Sequence, residues 1–287
     1  MPIKFNNVFY TYLENSPLRL EALHGVTLDI KDGSFTCVVG HTGCGKSTMI
    51  QQLNGLLIPT AGSVNVNDYV IEKKHKSLKK LHNLRKEVGI VFQFSEYQLF
   101  EETIEDDVAF GPMNFGIKKE EALKIAHECL KTVGIPEDFY KKSPFEISGG
   151  QKRRVAIAGI LALQPKVLVL DEPTAGLDPK GTREMLSLFK SLNEKGTTIV
   201  FVTHDINIVF EYATDVIVMN EGKVELQTTP AKLFKEDVEK YSLETPLIQK
   251  AVNMFLAKGM KINPENIKNV HDLALEIARI KKWIQQF

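Results

Sequence analysis

Gly40-His41-Thr42-Gly43-Cys44-Gly45-Lys46-Ser47-Thr48 fits the pattern G-x-x-x-x-G-K-[ST], in which backbone N–H groups close around phosphate oxygens. The glycines leave room for that approach, where side chains would obstruct it. Lys46 adds a mobile positive charge, and the Ser47 hydroxyl suits a Mg2+ ion. A helix starting here points its positive end at the same anion. Further on, Val167 to Leu170 is an apolar run that delivers two carboxylates, Asp171 and Glu172. Asp171 suits the metal's ligand shell, and Glu172 is placed to polarise an attacking water. Gln93 follows the run Val88 to Phe92, and His204 follows Thr198 to Thr203. Both stand where polar groups could stabilise charge at a γ-phosphate. Ser148-Gly149-Gly150-Gln151 offers a hydroxyl and free N–H groups ahead of a helix, which reads as a second anion site or as a plain N-cap.

The elements that must position these groups follow from periodicity. Phe35 to Val39 is the strand feeding the phosphate loop, and Met49, Ile50, Leu53, Leu56 and Leu57 continue at helical spacing behind it. Ile3 to Tyr12 and Ala22 to Ile30 read as strands, with Asp32-Gly33 as a hairpin turn into the next one. Val64, Val66, Tyr69 and Ile71 predict a further hairpin. The Lys- and His-rich run Glu72 to Lys86 reads as a solvated linker or helix face. Glu96 to about Pro165 is helical in character, and Leu123, Ala126, Leu130 and Val133 form one stripe. Val167–Leu170, Thr198–Thr203 and Asp215–Met219 alternate with helical patterns, which predicts parallel pairing. Asn220-Glu221-Gly222 then turns the chain into an antiparallel edge, Lys223–Gln227.

Composition limits the rest. The 287 residues exceed the usual single domain, with 43% hydrophobic and 25% charged residues, an ordinary globular balance. Lys+Arg and Asp+Glu both number 36, which argues against a general nucleic-acid binder. The longest apolar run, Val155 to Leu163, is too short to span a bilayer. The chain is expected to be soluble by itself, and any contact with a membrane would have to come through partners. Cys37, Cys44 and Cys129 form no disulfide framework, which points to a reducing cytoplasm. Cys44 lies near Lys46 and a helix start, so it is either a reactive thiolate shielded by nucleotide or an inert space-filler. Past Tyr241, Leu273, Ile277, Ile280, Ile284 and Phe287 form a narrow seam that packs on its own core or on another subunit. A membrane-surface helix fits it less well.

The order of phosphate loop, Gln93, Ile147-Ser148-Gly149-Gly150-Gln151, Asp171-Glu172, Ala175-Gly176-Leu177-Asp178 and His204 resembles ATP-binding-cassette (ABC) ATPases over roughly Ile3 to Gln227. The resemblance implies an α/β P-loop NTPase with a mixed sheet core, an antiparallel β region and a helical subdomain over about 96–165. It implies a cassette over 1–240 and a helical extension over 241–287 that serves pairing. In that family the signature segment of one subunit closes over ATP on the other subunit's phosphate loop. Carried over, Ser148 to Gln151 bind the partner's ATP and Asp178 crosses the interface. His204 contacts the γ-phosphate, Gln93 joins Ser47 and Asp171 at Mg2+, and Tyr12 stacks on adenine. Ile147 replaces the more usual Leu.

Phe92-Gln93-Phe94-Ser95-Glu96-Tyr97-Gln98-Leu99-Phe100-Glu101-Glu102-Thr103 and Asp107-Val108-Ala109-Phe110-Gly111-Pro112 are most similar to the ATPases of energy-coupling factor (ECF) transporters, in particular to the second of two paralogous A subunits. Ser95 stands where Pro is commoner. The implied protein hydrolyses ATP to drive import of a vitamin or of cobalt or nickel ions. It sits on the cytoplasmic face of the cell membrane with a paralogous A subunit, a transmembrane T subunit and a substrate-binding S subunit. Phe94, Tyr97, Leu99, Phe100 and Ile104 are candidate apolar anchors for the T subunit, with some of them packing inward. Glu96, Glu101, Glu102, Glu105, Asp106 and Asp107 form an acidic surround that is expected to face an arginine-bearing partner. A soluble ABC ATPase of DNA repair or translation and a P-loop kinase are the competing classes. One cassette, neutral charge and the Ser148–Gln151 segment speak against them.

Overall fold

Strands buried at nearly every position make up the larger of two sheets apart from one edge strand, and strands buried on one face make up the other. The computed structural model describes residues 2–73, 78–235, 238–264 and 267–284, with 78–80 and 281–284 as backbone only. Strands β1 (Ile3–Tyr12) and β2 (Leu20–Ile30) bury one face and expose the other, and they pair antiparallel. β3 (Phe35–Val39) is buried at every position, so it needs cover on both sides. It is followed by the phosphate loop, the short helix α1 (Lys46–Ile50), and the hairpin β4 (Ala61–Val66) and β5 (Tyr69–Ile71). Helix α2 (Leu78–Glu87) leads to β6 (Val88–Val91). Helices α3 (Ile104–Asn114), α4 (Lys119–Thr132) and α5 (Gly149–Leu161) form the central helical stretch. Then come β7 (Val167–Asp171), α6 (Pro179–Glu194), β8 (Thr198–Val202), α7 (Ile206–Tyr212), β9 (Asp215–Asn220) and β10 (Lys223–Thr228). Helices α8 (Pro230–Leu233), α9 (Leu247–Ala257) and α10 (Val270–Ile284) close the chain.

The antiparallel sheet has the order β2-β1-β4-β5, and the larger sheet has the order β10-β9-β3-β8-β7-β6. In the larger sheet all pairings are parallel except β10 on β9. Its two faces feed separate cores. Val38, Val167, Val169, Val200 and Ile217 pack toward the antiparallel sheet and α1, together with Ile3, Phe5 and Leu28. Cys37, Leu168, Leu170, Ile199 and Phe201 pack the other way, against the helices.

Two local expectations are corrected. Asp32-Gly33 does reverse the chain, with Ser34 N–H donating to Lys31 O at 3.2 Å, but it is no hairpin. β2 belongs to one sheet and β3 to the other, because β3 is apolar on both faces and β2 on one only. The helix after the phosphate loop also ends early. Beyond Ile50 the bonds Gln52 to Met49 and Leu53 to Ile50 tighten the backbone, and Leu56 is left exposed. The stripe on α4 is formed by Ala122, Ala126 and Leu130, continued by Val133, with Leu123 at its margin. Of the run Glu72 to Lys86, residues 74–77 lie outside the described residues.

Leu273, Ile277 and Ile280 of the C-terminal seam pack on Ile248, Val252 and Ile267, and on Phe210 of α7. That part of the seam serves the extension's own core. Phe287 and the side chain of Ile284 lie outside the described residues. Among the described residues no helix is long and apolar enough to cross a membrane.

Candidate functional site

Because β3, β8, β7 and β6 are parallel neighbours, their C-terminal ends lie side by side along one edge. That edge carries the phosphate loop, His204, Asp171-Glu172 and Gln93 in spatial order, which is where an open parallel sheet binds ligands. At the loop's start, Gly40 has φ 145°, and a Cβ there would lie 2.2 Å from Met219 O and 2.8 Å from Cys44 Sγ. Gly45 at φ 100° lies under Ala22, whose carbonyl would be 2.8 Å from a Cβ. Only glycine satisfies both positions. Lys46 is 9% exposed, and its Nζ donates to Gly40 O at 2.7 Å and His41 O at 2.9 Å. The ammonium is thus folded over the loop. Thr42 and Gly43 form its exposed tip. Nε2 of His41 lies 2.9 Å from Asn220 Oδ1, tying the tip to β9. Tyr12 OH lies 3.0 Å from Thr48 Oγ1, and Tyr10 packs edge-on against the Tyr12 ring at 4.8 Å. This fixes an aromatic ring beside the loop's helix.

Asp171 is buried at the end of β7, and burial holds its carboxyl above the usual range, partly offset by a hydrogen bond from Ser47. A carboxylate costly to ionise beside a hydroxyl is a fitting site for a hard divalent cation. Among the described residues no cluster of three or more His, Cys, Asp or Glu side chains could hold a metal. Mg2+ takes one or two carboxylates and relies on phosphate oxygens and water for the rest. Glu172 continues the ladder through its N–H to Val202 O at 3.1 Å, yet its φ is 47°. This left-handed turn of a non-glycine residue costs about 1–3 kcal/mol and recurs at functional sites. The carboxylate it aims lies 3.3 Å from His204 Nδ1 and 3.5 Å from Gln93 Nε2. Three groups from the ends of β6, β7 and β8 therefore converge. The side-chain amide of Gln93 contacts Glu172.

The Ser148–Gln151 turn forms a capping box. Ser148 Oγ accepts from Gln151 N–H at 3.3 Å, and Gln151 Oε1 accepts from Ser148 N–H at 2.9 Å. Among the described residues no hydrogen bond joins this turn to the chain's own phosphate loop. Gly149 and Gly150 open α5, and an added Cβ on Gly149 would meet open space. Asp178 is exposed and caps α6 by accepting from Gly181 N–H at 2.8 Å.

Cys44 is 1% exposed and packs in the core beneath the antiparallel sheet, which supports the space-filling reading over the reactive one. The apolar residues after Gln93 divide between core and surface, as expected, but most of the acids do not stand free. Phe94, Tyr97 and Phe100 are exposed, but Leu99 and Ile104 are buried. The acids are largely spoken for. Glu96 pairs with Arg153 at 3.0 Å, Glu105 with His127 at 2.7 Å and Asp106 with Lys119 at 2.9 Å. Asp107 accepts the N–H groups of Phe100 and Glu101. Arg153 and Asn220 are the residues sequence reasoning missed. A buried arginine in a Lys-Arg-Arg run carries no local signal of burial, and Asn220 was read only as a turn residue.

The fold and the edge just described define an ATP-binding cassette. A family model described as ABC transporter matches residues 23–175. The chain is 53% identical over 264 residues to the energy-coupling factor transporter ATP-binding protein EcfA2 of Streptococcus agalactiae serotype Ia, covering 91% of this chain and 94% of that one. Against the protein of the same name from Streptococcus pyogenes serotype M5 the identity is 51%, covering 92% and 94%. Among solved structures, cbiO1 from Clostridium perfringens, part of the ABC transporter complex cbiONQ, is similar at TM-score 0.72 and 39% identity, covering 89% of this chain and 96% of that one. The dimeric post-hydrolysis cassette MJ0796 bound to ADP and Pi is similar at TM-score 0.72 and 35% identity, covering 79% and 98%. The chain belongs to the ABC transporter family, and within it to the ATP-binding proteins of energy-coupling factor transporters.

Proposed function

We propose that this chain is the ATP-hydrolysing subunit of an energy-coupling factor importer, docked at the cytoplasmic face of the cell membrane. The observation that carries the reading is the convergence of Glu172, Gln93 and His204 beside the phosphate loop. Glu172 takes a proton from the water that attacks the γ-phosphate, and its forced backbone turn holds the carboxylate in place for that step. His204 and Gln93 fix the carboxylate from two sides. Lys46 leaves its loop carbonyls for the phosphate oxygens, and Tyr12 stacks on adenine. Ser47 and Asp171, with Gln93, would hold Mg2+, which when bound neutralises charge on the phosphates.

The second half of the ATP site comes from a paired subunit, through Ser148 to Gln151 and Asp178 of that subunit's matching segments. A paralogous A subunit is the proposed mate. The cassette takes up 1–240 and the extension 241–287. The extension's exposed apolar residues Leu247, Met254 and Leu275 support a pairing role. Membrane coupling runs through Phe94, Tyr97 and Phe100, which are 58%, 83% and 59% exposed, close in sequence to Gln93. A T subunit helix seated there would sense movement of Gln93. The S subunit carries the micronutrient. Affinity purification from detergent-solubilised membranes tests the whole reading. It should recover a paralogous ATPase and integral membrane chains, and Tyr97→Ala with Phe100→Ala should lose the membrane chains. Recovery of ribosomes or nucleic acid in their place would overturn it.

A further inference from the structure

Arg153 lies in α5, one turn past the Ser148–Gln151 cap, with its side chain only 7% exposed. Its guanidinium meets the Glu96 carboxylate through Nε at 3.2 Å and Nη2 at 3.0 Å. Nη2 also donates to Gln93 O at 3.0 Å, and Nη1 donates to Ala175 O. Both carbonyls lead to Glu172. Gln93 reaches the Glu172 carboxylate with its amide, and Ala175 N–H donates to Glu172 O at 3.2 Å. One planar cation therefore touches the two loops that flank the water-polarising carboxylate, while riding on the helix capped by Ser148. The neighbouring Arg154 differs. It binds Val133 O and Glu184, and touches neither loop.

We propose that Arg153 is a positioning residue that transmits displacement of the Ser148–Gln151 turn to Gln93 and Glu172, with Glu96 orienting its guanidinium. The inference rests on the proposed function, in which that turn engages a nucleotide held by a second subunit. Engagement of the turn in one site then sets the hydrolytic geometry of the other. The guanidinium reaches Ala175 O with Nη1 and Gln93 O with Nη2 while Nε and Nη2 hold Glu96, a spread over three nitrogens that the single nitrogen of a lysine cannot reproduce.

The test is ATP hydrolysis by the chain assembled with its co-purified partners, with kcat and KM separated. Arg153→Lys should lower kcat about 10- to 100-fold, the range for sub-ångström to one-ångström misplacement, with KM within about threefold. Arg154→Lys should leave kcat near wild type. The swap Arg153→Glu with Glu96→Arg restores an ion pair without restoring the fork on Gln93 and Ala175. It should recover melting temperature relative to Arg153→Glu alone and keep kcat low. Wild-type kcat in Arg153→Lys, or recovery of kcat by the swap, would overturn the inference and leave Arg153 as a stabilising ion pair. Should Arg153→Lys fail to fold, Glu96→Gln is read by the same criteria. An assembled wild type with no turnover would instead remove the reading of function, and this inference with it.

Discussion

Replacing Glu96 by alanine would strand the Arg153 guanidinium in a site where its side chain is 7% exposed and Glu96 itself 17%. Removing one partner of a buried pair costs about 3–5 kcal/mol, because the remaining charge is left without compensation. Here Gln93 O and Ala175 O still face the cation, so the lower end applies, about 3 kcal/mol. For a chain of this size that corresponds to a fall of roughly 6–12 °C in melting temperature. Urea unfolding followed by circular dichroism measures it, with Glu101→Ala as the control. Glu101 is half-buried, and a surface change of that kind stays within about 0.5 kcal/mol. Equal stability of the Glu96→Ala and Glu101→Ala variants would refute the argument, and Glu96 would return to the acids available for an external arginine.

Gly40→Ala should abolish nucleotide binding while the core still folds, since the new Cβ would sit 2.2 Å from Met219 O at φ 145° and force the loop open. Fluorescent-nucleotide titration checks it, and unchanged affinity would remove the steric argument. Thr103, then Lys119, hold the Asp106 carboxyl below its usual range, so its ionised form favours the fold. That contribution is present above about pH 4 and is lost as pH falls through the lowered value. Asp106→Asn should therefore melt below wild type at neutral pH, with the gap closing in acid. Burial, with Glu128 nearby, pushes the Cys129 thiol up to about 11. At pH 8 its maleimide labelling should run roughly two orders of magnitude below that of a free thiol and speed up with pH. Cys37 and Cys44 should label only on unfolding.

The phosphate loop, Asp171-Glu172 and the strand ends were legible in the sequence because each is local. An all-apolar strand followed by a polar residue identifies a buried parallel strand and its ligand edge without reference to any distant residue. The switch of sheets at Asp32-Gly33 was not legible. A hairpin signal reports only the turn, whereas sheet membership depends on what covers Phe35 to Val39. The acids after Gln93 misled for the same reason. Glu96 and Arg153 are 57 positions apart, and nothing in either residue type distinguishes an internal pair from a surface charge awaiting a partner. Cys44 is hidden because Gly40 and Gly45 let the loop turn tightly over the core, a consequence of backbone angles that composition does not display. The left-handed backbone of Glu172 belongs with these, since glutamate gives no hint of it.

The central claim is that Glu172, aimed by its backbone turn between Gln93 and His204, activates the water that cleaves ATP. Single-turnover hydrolysis by the assembled Glu172→Gln variant, beside its ATP affinity, tests this most directly. The account predicts wild-type ATP binding with cleavage slowed by about two to four orders of magnitude, the contribution of a lost general base. Cleavage within a few fold of wild type would contradict it and move the water-activating role to another group.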